Sequence, residues 1–311
     1  MKLYFAPLEG ITKFIYRNVH AEIFGACDAY FAPFITPSDN ERIGRKAIRD
    51  ILPENNGGLP LNVQVQTNCA ASFLKFEYKI TPLGYDEVNM NLGCPSGTVV
   101  NKGRGAGFLR DPEALDAFFD EVFSKTKLKI SVKTRSGFYS GDEMETLTKI
   151  YNRYPFTEVI IHPRTRNDFY NGVPDYDVFK KAYAELTHPV CYNGNVFEAE
   201  DYQRIVTAFP KLNSVMLGRG AIANPALFRE LKGGKKLTTR ELIMFSEKLM
   251  EAYYEELQSE VFTLQKLKEV WMYMMWNFPE EKKVMKKIKK ATSLSEFRNT
   301  VCCLPEIPEK K

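Results

Sequence analysis

The strongest constraint on the fold is the regular recurrence of short β-rich runs through the first three quarters of the chain. Segments with helical periodicity or a helix start separate the runs, for example "DPEALDAFFDEVFSK" from Asp111 and "GDEMETLTKIYNRY" from Gly141. Strands that alternate with helices pair in parallel through helical crossovers. The eight runs are "KLYFAPL", "AYFAPFI", "LNVQVQT", "EVNMNLG", "KISVKTR", "EVIIHPR", "PVCYNGN" and "SVMLGRG".

The number of runs favours one architecture. Eight strand–helix units in about 230 residues match the size of a (β/α)8 barrel, for which ~250 residues is typical. A doubly wound parallel sheet is the alternative, but it explains the count less well. The predicted fold class is therefore α/β, with a (β/α)8 TIM barrel in residues 1–233.

The last quarter of the chain has a different pattern. After Gly234 the β-rich runs stop and the periodicity becomes helical. Helix starts are predicted at Thr238 or Thr239 and again near Ser293, because these residues are good N-caps. We therefore expect a smaller C-terminal all-helical domain in residues 234–311.

Composition excludes several classes of protein. No stretch approaches the ~20 apolar residues that span a bilayer, and the N-terminal residues lack a signal-peptide pattern. We therefore expect a cytoplasmic protein without membrane contact. The six cysteines have no paired spacing and there are three histidines, which argues against disulfides and against a metal site. We also expect a monomer.

The excess positive charge is concentrated near the C-terminus. The formal net charge is +4, and residues 231–311 hold 16 Lys/Arg against 12 Asp/Glu while the rest of the chain is balanced. Much of the excess lies in "EEKKVMKKIKK". Two interpretations stay open, namely a solvated helix face and a contact with an anionic polymer.

Polar residues recur where the predicted strands end, and in a parallel barrel these carboxyl ends form the active face. Individually they have structural explanations: Gln64 as a paired polar group, His162 as a core histidine, Asn193 and Gly194 as a turn. Because all of them lie on the same rim, a single functional site explains them better than separate structural roles. In such a site Lys133 would place a cation near an electron-rich ligand. The set comprises Pro7, Leu8, Glu9, Gln64, Asn91, Cys94, Lys133, Arg135, His162, Arg164, Asn193, Gly194, Asn195, Gly218 and Arg219.

Glycine-containing turns follow the seventh and eighth runs, in "NGNVFEAE" and "GRGAIANP". Turns at these positions commonly bind phosphate at a helix N-terminus, although tight turns alone explain the glycines equally well. The segment "KGRGAG" fits neither the Rossmann nor the P-loop pattern. It follows Cys94 closely, so a thiol lies between a strand end and a glycine-rich basic loop.

The motifs resemble those of the tRNA-dihydrouridine synthases over nearly the whole chain. "FAPLEGITKFIYR" is similar to the opening motif of that family, and "NMNLGCPS" followed by "KGRGAGFL" is similar to its catalytic motif. "SVKTRSGF" resembles its lysine strand, and "IIHPRTR" through "YNGVPDYD" resembles its histidine strand. "CYNGNV" with "VMLGRGAIANPALF" resembles its phosphate end.

The resemblance implies reduction of the C5–C6 double bond of particular uridines in tRNA, with FMN as cofactor and NADPH or NADH as reductant. It assigns Cys94 as the general acid at uracil C5, with a flexible glycine loop that closes over the base. The implied FMN contacts are Pro7, Leu8, Glu9, Gln64, Lys133, His162, Asn193, Gly194, Asn195, Gly218 and Arg219. The implied substrate or RNA contacts are Asn91, Lys102, Arg104, Arg164, Arg166, Lys266 and Lys268.

Three residues depart from the pattern of the family that this chain resembles. Asn89 stands where an acidic residue is usual, Asp168 stands where glutamine is common, and Glu9 is a less common residue of the opening motif. None of these changes removes a catalytic group. They leave the subgroup, and with it the target uridine, open.

Two other functions stay open. A flavin barrel that acts on a free pyrimidine or another small molecule would share the same rim, but "TLQKLKEVWMYMMWNF" resembles the RNA-contacting helix of the family and argues against it. A non-catalytic RNA-binding barrel would share the basic helices. The presence of both Cys94 and Lys133 argues against that second alternative.

Overall fold

A closed barrel of eight parallel strands forms the larger part of the protein. The computed structural model describes residues 1–37 and 44–308. The strands are β1 (Lys2–Phe5), β2 (Ala29–Phe31), β3 (Leu61–Val65), β4 (Glu87–Leu92), β5 (Lys129–Gly137), β6 (Val159–Thr165), β7 (Val190–Tyr192) and β8 (Ser214–Leu217). Each strand pairs in parallel with the next, and β8 pairs with β1. The barrel prediction is confirmed, and the doubly wound alternative is wrong because the sheet is closed.

Helices follow the strands and then continue alone to the C-terminus. The barrel helices are α1 (Phe14–Phe24), α2 (Arg45–Ile51), α3 (Ala70–Ile80), α4 (Gly97–Val100), α5 (Pro112–Phe123), α6 (Glu143–Tyr151), α7 (Tyr176–Glu185), α8 (Ala199–Ala208), α9 (Arg219–Ala223) and α10 (Leu227–Leu231). The later helices are α11 (Thr239–Leu257), α12 (Glu260–Met274), α13 (Lys282–Lys290) and α14 (Leu294–Cys302). Short 3-10 helices cover Pro53–Asn55, Thr81–Leu83, Gly105–Arg110 and Met275–Asn277.

Side chains along each strand alternate between two apolar layers. In β1, Leu3 and Phe5 belong to the large core between sheet and helices, whereas Tyr4 belongs to a smaller cluster inside the barrel. This alternation follows from the two-residue period of a strand. The inner cluster fills the barrel below the strand ends, so inward residues that come later along each strand lie above it. Its members are Tyr4, Ala6, Ala29, Phe31, Ile160, Cys191 and Met216.

Two predicted helix starts coincide with side-chain caps. Thr238, rather than Thr239, caps α11, and it forms a capping box with Glu241. Ser293 caps α14 by accepting a hydrogen bond from the backbone N–H of Glu296 at 3.1 Å. Each cap satisfies an N–H group that the first turn of a helix leaves without a partner.

The C-terminal helices pack on the barrel next to its first and last helices. Phe245 of α11 makes edge contacts with Tyr16 and Phe24 of α1. The side-chain amide of Asn277 donates to the carbonyl oxygen of Ala223, at the end of α9, at 2.7 Å. The helical region is therefore held to the same side of the barrel by apolar and polar contacts.

The all-helical character of the C-terminal region is confirmed, because helices follow one another there without a strand in the part that the structure describes. The boundary between residues 233 and 234 stays a prediction. Residues 309–311 of the predicted domain lie outside the described residues. None of the described helices is long and apolar enough to cross a lipid bilayer.

A buried ion pair links α1 to α2. The side chains of Arg17 and Asp50 are 1% and 7% exposed, and the nearest nitrogen and oxygen are 3.4 Å apart. Arg17 also donates to the carbonyl oxygen of Thr12 at 2.7 Å and to Oδ1 of Asn56 at 2.7 Å. Asp50 accepts from the backbone N–H of Phe14 at 2.6 Å. These hydrogen bonds offset the cost of removing both charges from water.

Replacing Arg17 with methionine should destabilise the fold strongly, because the carboxylate of Asp50 would stay buried without its counter-ion. We expect the free energy of unfolding to fall by about 3–5 kcal/mol, measured by urea denaturation followed by circular dichroism. As a control, Lys125→Met breaks the exposed pair with Glu121 and should leave the midpoint almost unchanged. Equal midpoints for the two variants would contradict this assignment.

Candidate active site

A cavity of about 300 Å³ opens at the carboxyl ends of the barrel strands. Most of its wall is formed by residues near or after the strand ends, as expected where parallel strands meet at one rim. The structure brings together every residue for which the resemblance implies an FMN contact, and it places Cys94 and Asn91 with them. These lining residues are Pro7, Leu8, Glu9, Gln64, Asn91, Cys94, Lys133, His162, Asn193, Gly194, Asn195, Gly218 and Arg219.

Other lining residues have no ligand contact implied by the resemblance, although Arg135 belongs to the rim set of the sequence analysis. Arg135 follows Lys133 by two residues in β5, so both turn inward. Tyr170 lies in the loop after β6, and its only sequence signal is its place in "YNGVPDYD". Tyr273 comes from α12, and no local pattern places it at the barrel mouth. The remaining ones are Ala6, Ile11, Pro33, Phe34, Gly93 and Pro95.

Four of the residues with an implied RNA contact lie around the cavity but outside its lining. Lys102 is exposed and Arg104 is half-buried, and both precede the glycine-rich 3-10 helix. Arg166 is half-buried in the loop after β6. Arg164 is buried and donates to the carbonyl oxygen of Asn171 at 3.1 Å, so it is placed to support that loop rather than to reach a macromolecule.

Two lysines of α12 with an implied RNA contact are engaged within the protein. Nζ of Lys266 donates to the carbonyl oxygen of Gly10 at 3.1 Å and to Glu269 at 2.7 Å. Nζ of Lys268 donates to the carbonyl oxygen of Ala291 at 2.5 Å. Lys266 therefore ties α12 to the loop after β1, and Lys268 ties it to the end of α13.

A chain of side-chain amides crosses the top of the barrel and ends at Cys94. Asn89 donates to the hydroxyl of Ser131 at 3.0 Å and accepts from Gln64 at 2.7 Å. Gln64 in turn accepts from Asn91 at 2.7 Å, and Oδ1 of Asn91 accepts from the backbone N–H of Cys94 at 3.0 Å. An amide at residue 89 both donates and accepts in this chain, which an ionised carboxylate could not do.

The thiol of Cys94 is held in its protonated form. Burial raises its pKa above the ordinary value, and this effect outweighs hydrogen bonds from the backbone of Ser96 and the side chain of Gln66, which lower it. The side chain is half-buried and lines the cavity. Cys94 can therefore donate a proton to a ligand in the cavity near neutral pH.

The glycine-rich segment after Cys94 is a packed support. Residues Gly105–Arg110 form a 3-10 helix that is buried as far as Leu109. The backbone N–H of Ala106 donates to the carbonyl oxygen of Cys94 at 3.0 Å, and a Cβ at Gly105 would lie 2.9 Å from that oxygen. The expectation of a flexible loop is wrong for Gly105 and Gly107, because these two glycines serve close backbone contact. For residues 102–104, which are exposed or half-buried, it stays a prediction.

Positive charge dominates the cavity. Burial lowers the pKa of Lys133 to about 8, and the neighbouring charge of Arg135 acts in the same direction. Arg219 adds a third cation, and Glu9 is the one carboxylate among the described lining residues. The cavity is therefore suited to an anionic or electron-rich ligand.

His162 is held neutral beside these cations. Burial lowers its pKa well below the ordinary value, and the surrounding arginines and Lys133 act in the same direction. Nη1 of Arg164 lies 2.9 Å from Nε2 of His162. Because a guanidinium only donates, Nε2 accepts and the proton is on Nδ1.

The side chain of Asn195 joins two of these arginines. Its Oδ1 accepts from Arg219 at 3.0 Å and from Arg164 at 3.3 Å.

The turns after β7 and β8 approach each other closely because Gly220 lacks a side chain. A Cβ at Gly220 would collide with the carbonyl oxygen of Val196, which follows β7. A Cβ at Gly194 would collide with the hydroxyl of Tyr192, the last residue of β7 itself. The N-terminus of α9 therefore lies against the turn after β7. Backbone N–H groups at such an N-terminus have no partner within the helix and can bind an anion.

The site combines a thiol just after β4, cations on β5 and the backbone N–H groups at the start of α9, which follows β8. This arrangement can hold an anionic ligand with its phosphate at one end and place a substrate against Cys94 at the other. No group of three or more His, Cys, Asp or Glu among the described residues is placed to hold a metal ion.

Solved structures with the same architecture include several reductases. Morphinone reductase matches with a TM-score of 0.52 at 10% identity, over 76% of this chain and 86% of that chain. A 2-naphthoyl-CoA reductase matches with a TM-score of 0.57 at 8% identity, over 75% of this chain and 50% of that chain. At these identities the likeness shows the fold alone.

Sequence relatives cover more of the chain. A tRNA-dihydrouridine(16) synthase of Escherichia coli O157:H7 is 29% identical over 243 residues, which is 75% of this chain and 75% of the relative. A tRNA-dihydrouridine(16) synthase of Neisseria meningitidis serogroup B is 24% identical over 311 residues, 96% of this chain and 93% of the relative. The tRNA-dihydrouridine synthase B of Pseudomonas aeruginosa is 24% identical over 231 residues, 74% and 68% respectively.

The match to a protein-family model extends over almost the whole chain. The model describes dihydrouridine synthase (Dus), and it matches residues 4–306. That range includes the whole cavity lining, from the loop after β1 to Tyr273 of α12. The chain therefore belongs to the dihydrouridine synthase family.

Proposed function

We propose that this protein is a tRNA-dihydrouridine synthase that reduces the C5–C6 double bond of a uridine in tRNA, with FMN as cofactor and NADPH or NADH as reductant. The observation that carries the proposal is one cavity that joins the thiol of Cys94 to the cations Lys133 and Arg219 and to the turns after β7 and β8. Family membership and the names of the similar tRNA-dihydrouridine synthases support a uridine in tRNA as the substrate.

The lining residues fit FMN. Its phosphate would lie against Asn195 and Arg219 at the start of α9, where backbone N–H groups and a guanidinium meet. Lys133 and Gln64 would hold the polar edge of the isoalloxazine, and the neutral His162 would lie beside it. FMN supplies the hydride for C6 of uracil when it is bound.

Cys94 would donate the proton that C5 of uracil requires after hydride transfer. Its raised pKa keeps the thiol protonated, and a general acid must be protonated and within reach of its target. The hydrogen bond from its backbone N–H to Asn91 fixes the turn on one side. On the other side the backbone N–H of Ala106 fixes it by donating to the carbonyl oxygen of Cys94.

Helix α13 would bind the phosphate backbone of tRNA. Ile288 is its buried residue, and its lysines point to solvent. A cluster of exposed ammonium groups on one short helix is typical of a contact with a polyanion. Lys266 and Lys268 would contribute through the placement of α12, because their ammonium groups are engaged within the protein. The exposed lysines are Lys282, Lys283, Lys286, Lys287, Lys289 and Lys290.

The purified protein should bind one FMN per chain without a covalent bond and should form dihydrouridine in tRNA. The test incubates the FMN-loaded protein and NADPH with unmodified tRNA or with free uridine, and quantifies dihydrouridine by mass spectrometry. We expect dihydrouridine to form in tRNA and not from free uridine. Product from free uridine would favour a small-molecule reductase, and bound RNA without product would favour a non-catalytic barrel. Position 16, named for two relatives, is the first position to map.

Replacing Cys94 with alanine should slow dihydrouridine formation by ~10² to 10⁴-fold, the range that general acids contribute. FMN content and its reduction by NADPH should stay near wild type, because the thiol is needed only for the proton at C5. Single-turnover assays on tRNA with pre-reduced enzyme measure this step. Cys303→Ala is the matched control, since that thiol is exposed in the helical region. Wild-type rates in Cys94→Ala would mean that another group supplies the proton.

Removing lysines from α13 should weaken tRNA binding and reduce its dependence on salt. Each lysine that neutralises a phosphate releases counter-ions, so a triple alanine variant of Lys286, Lys287 and Lys290 should lower the slope of log affinity against log salt by roughly one unit per true contact. Filter binding over a salt series measures this slope. The flavin absorption spectrum should not change.

The control for this experiment removes the same number of charges from the opposite end of the barrel. Lys125, Lys127 and Lys129 are exposed at the start of β5, away from the cavity. Their triple alanine variant has the same net charge as the α13 variant, so only a specific contact distinguishes the two. Identical slopes for both variants would remove α13 from the RNA interface.

A further inference from the structure

Phe169 has an unusual backbone conformation for a large aromatic residue. Its φ angle is 49°, in the left-handed region where a Cβ is disfavoured and glycine is the usual occupant. One other non-glycine residue among those described has a positive φ, Gln258, which caps the end of α11, where this conformation is common. Phe169 lies in a loop, so its conformation needs a separate explanation.

The loop after β6 is built to hold this conformation. Nη1 of Arg135 donates to the carbonyl oxygens of Thr165 and Phe169, each at 2.8 Å. The carboxylate of Asp168 accepts from the backbone N–H of Thr165 at 2.7 Å and from its hydroxyl at 2.8 Å. Strained conformations persist where surrounding contacts determine them in this way, and they cluster at functional sites.

The ring of Phe169 is exposed at the cavity rim and lies against a cation. It is 40% exposed, and the guanidinium carbon of Arg166 lies 5.0 Å from its centre and 5.6 Å from that of the buried Phe138. Nε of Arg166 has no hydrogen-bond partner in the described part of the chain. The next residue, Tyr170, lines the cavity, and Arg219 lies 5.0 Å from its ring.

We propose that Phe169 and Arg166 form a stacking surface for the base of the nucleotide next to the uridine that enters the cavity. An exposed aromatic face beside a guanidinium matches an unstacked base and its phosphate, and such stacking tolerates any base. The proposal rests on the proposed function, because it needs an RNA substrate whose target nucleotide leaves its stack. Phe169 is retained in a conformation that suits glycine because its ring contacts RNA.

The test compares two replacements of Phe169. Phe169→Gly removes the ring and relieves the backbone, so tRNA affinity should fall about tenfold while the thermal midpoint holds or rises by about 2 °C. Phe169→Tyr keeps both ring and strain, and should match wild type in both measurements. Filter binding and differential scanning calorimetry on the FMN-loaded protein provide the two readouts.

A fall in tRNA affinity without a fall in the thermal midpoint distinguishes a binding role of the ring from a packing role. If the ring only packs on Arg166, the glycine variant should lose thermal stability together with affinity, and that result would overturn the proposal. Unchanged affinity in Phe169→Gly would overturn it as well. Wild-type protein that binds tRNA with this dependence on Phe169 but makes no dihydrouridine would remove the proposed function and leave the stacking surface in place.

A second measurement identifies the base that stacks. tRNA transcripts with an abasic site on either side of the target uridine should bind the wild-type protein more weakly at one of the two positions. At that position the abasic transcript should bind wild type and Phe169→Gly equally well. Because the transcript lacks the base that would stack on the ring, removing the ring has no further effect on affinity. Additive losses at both positions would contradict a direct contact.

Discussion

The site depends on the common direction of the eight strands. Because all strands run the same way, their carboxyl ends meet at one rim, and the two-residue period turns every second side chain inward. An apolar layer that includes Phe31 and Met216 fills the barrel below these ends. Polar residues at later inward positions therefore converge above that layer without any long loop to carry them. They are Gln64, Asn91, Lys133, His162 and Asn193.

This convergence has an electrostatic consequence. Burial lowers the pKa of both Lys133 and Arg135, which turn inward from the same strand. The two positive charges also repel each other. Glu9 is the one carboxylate among the described lining residues, so the protein itself offsets little of this repulsion. A bound anionic cofactor would offset it, so cofactor affinity and the stability of the barrel are linked.

Local sequence patterns predicted much of this arrangement because a strand end is a local feature. Cys94 follows one recognisable β-rich run and Lys133 lies in the second half of another, and these positions place both at the rim. Tertiary contacts leave no such signal: Tyr273 reaches the cavity because α12 packs beside α9, and Lys268 donates to the carbonyl oxygen of Ala291. The glycine-rich segment was ambiguous for a related reason, since glycine serves a flexible loop and a close backbone contact equally well.

The packing of that segment bears on how a target uridine is selected. The backbone of Cys94 is fixed by Asn91 on one side and by the N–H group of Ala106 on the other, so in the proposed reaction the acid is in place before the base arrives. A fixed thiol and a fixed cofactor would treat every uracil that enters the cavity alike. Discrimination between uridines of one tRNA must then arise outside the cavity, on surfaces that decide which nucleotide can reach it. In the two proposals above, the ring of Phe169 and the lysines of α13 would be such surfaces, because these side chains lie outside the cavity lining and are exposed.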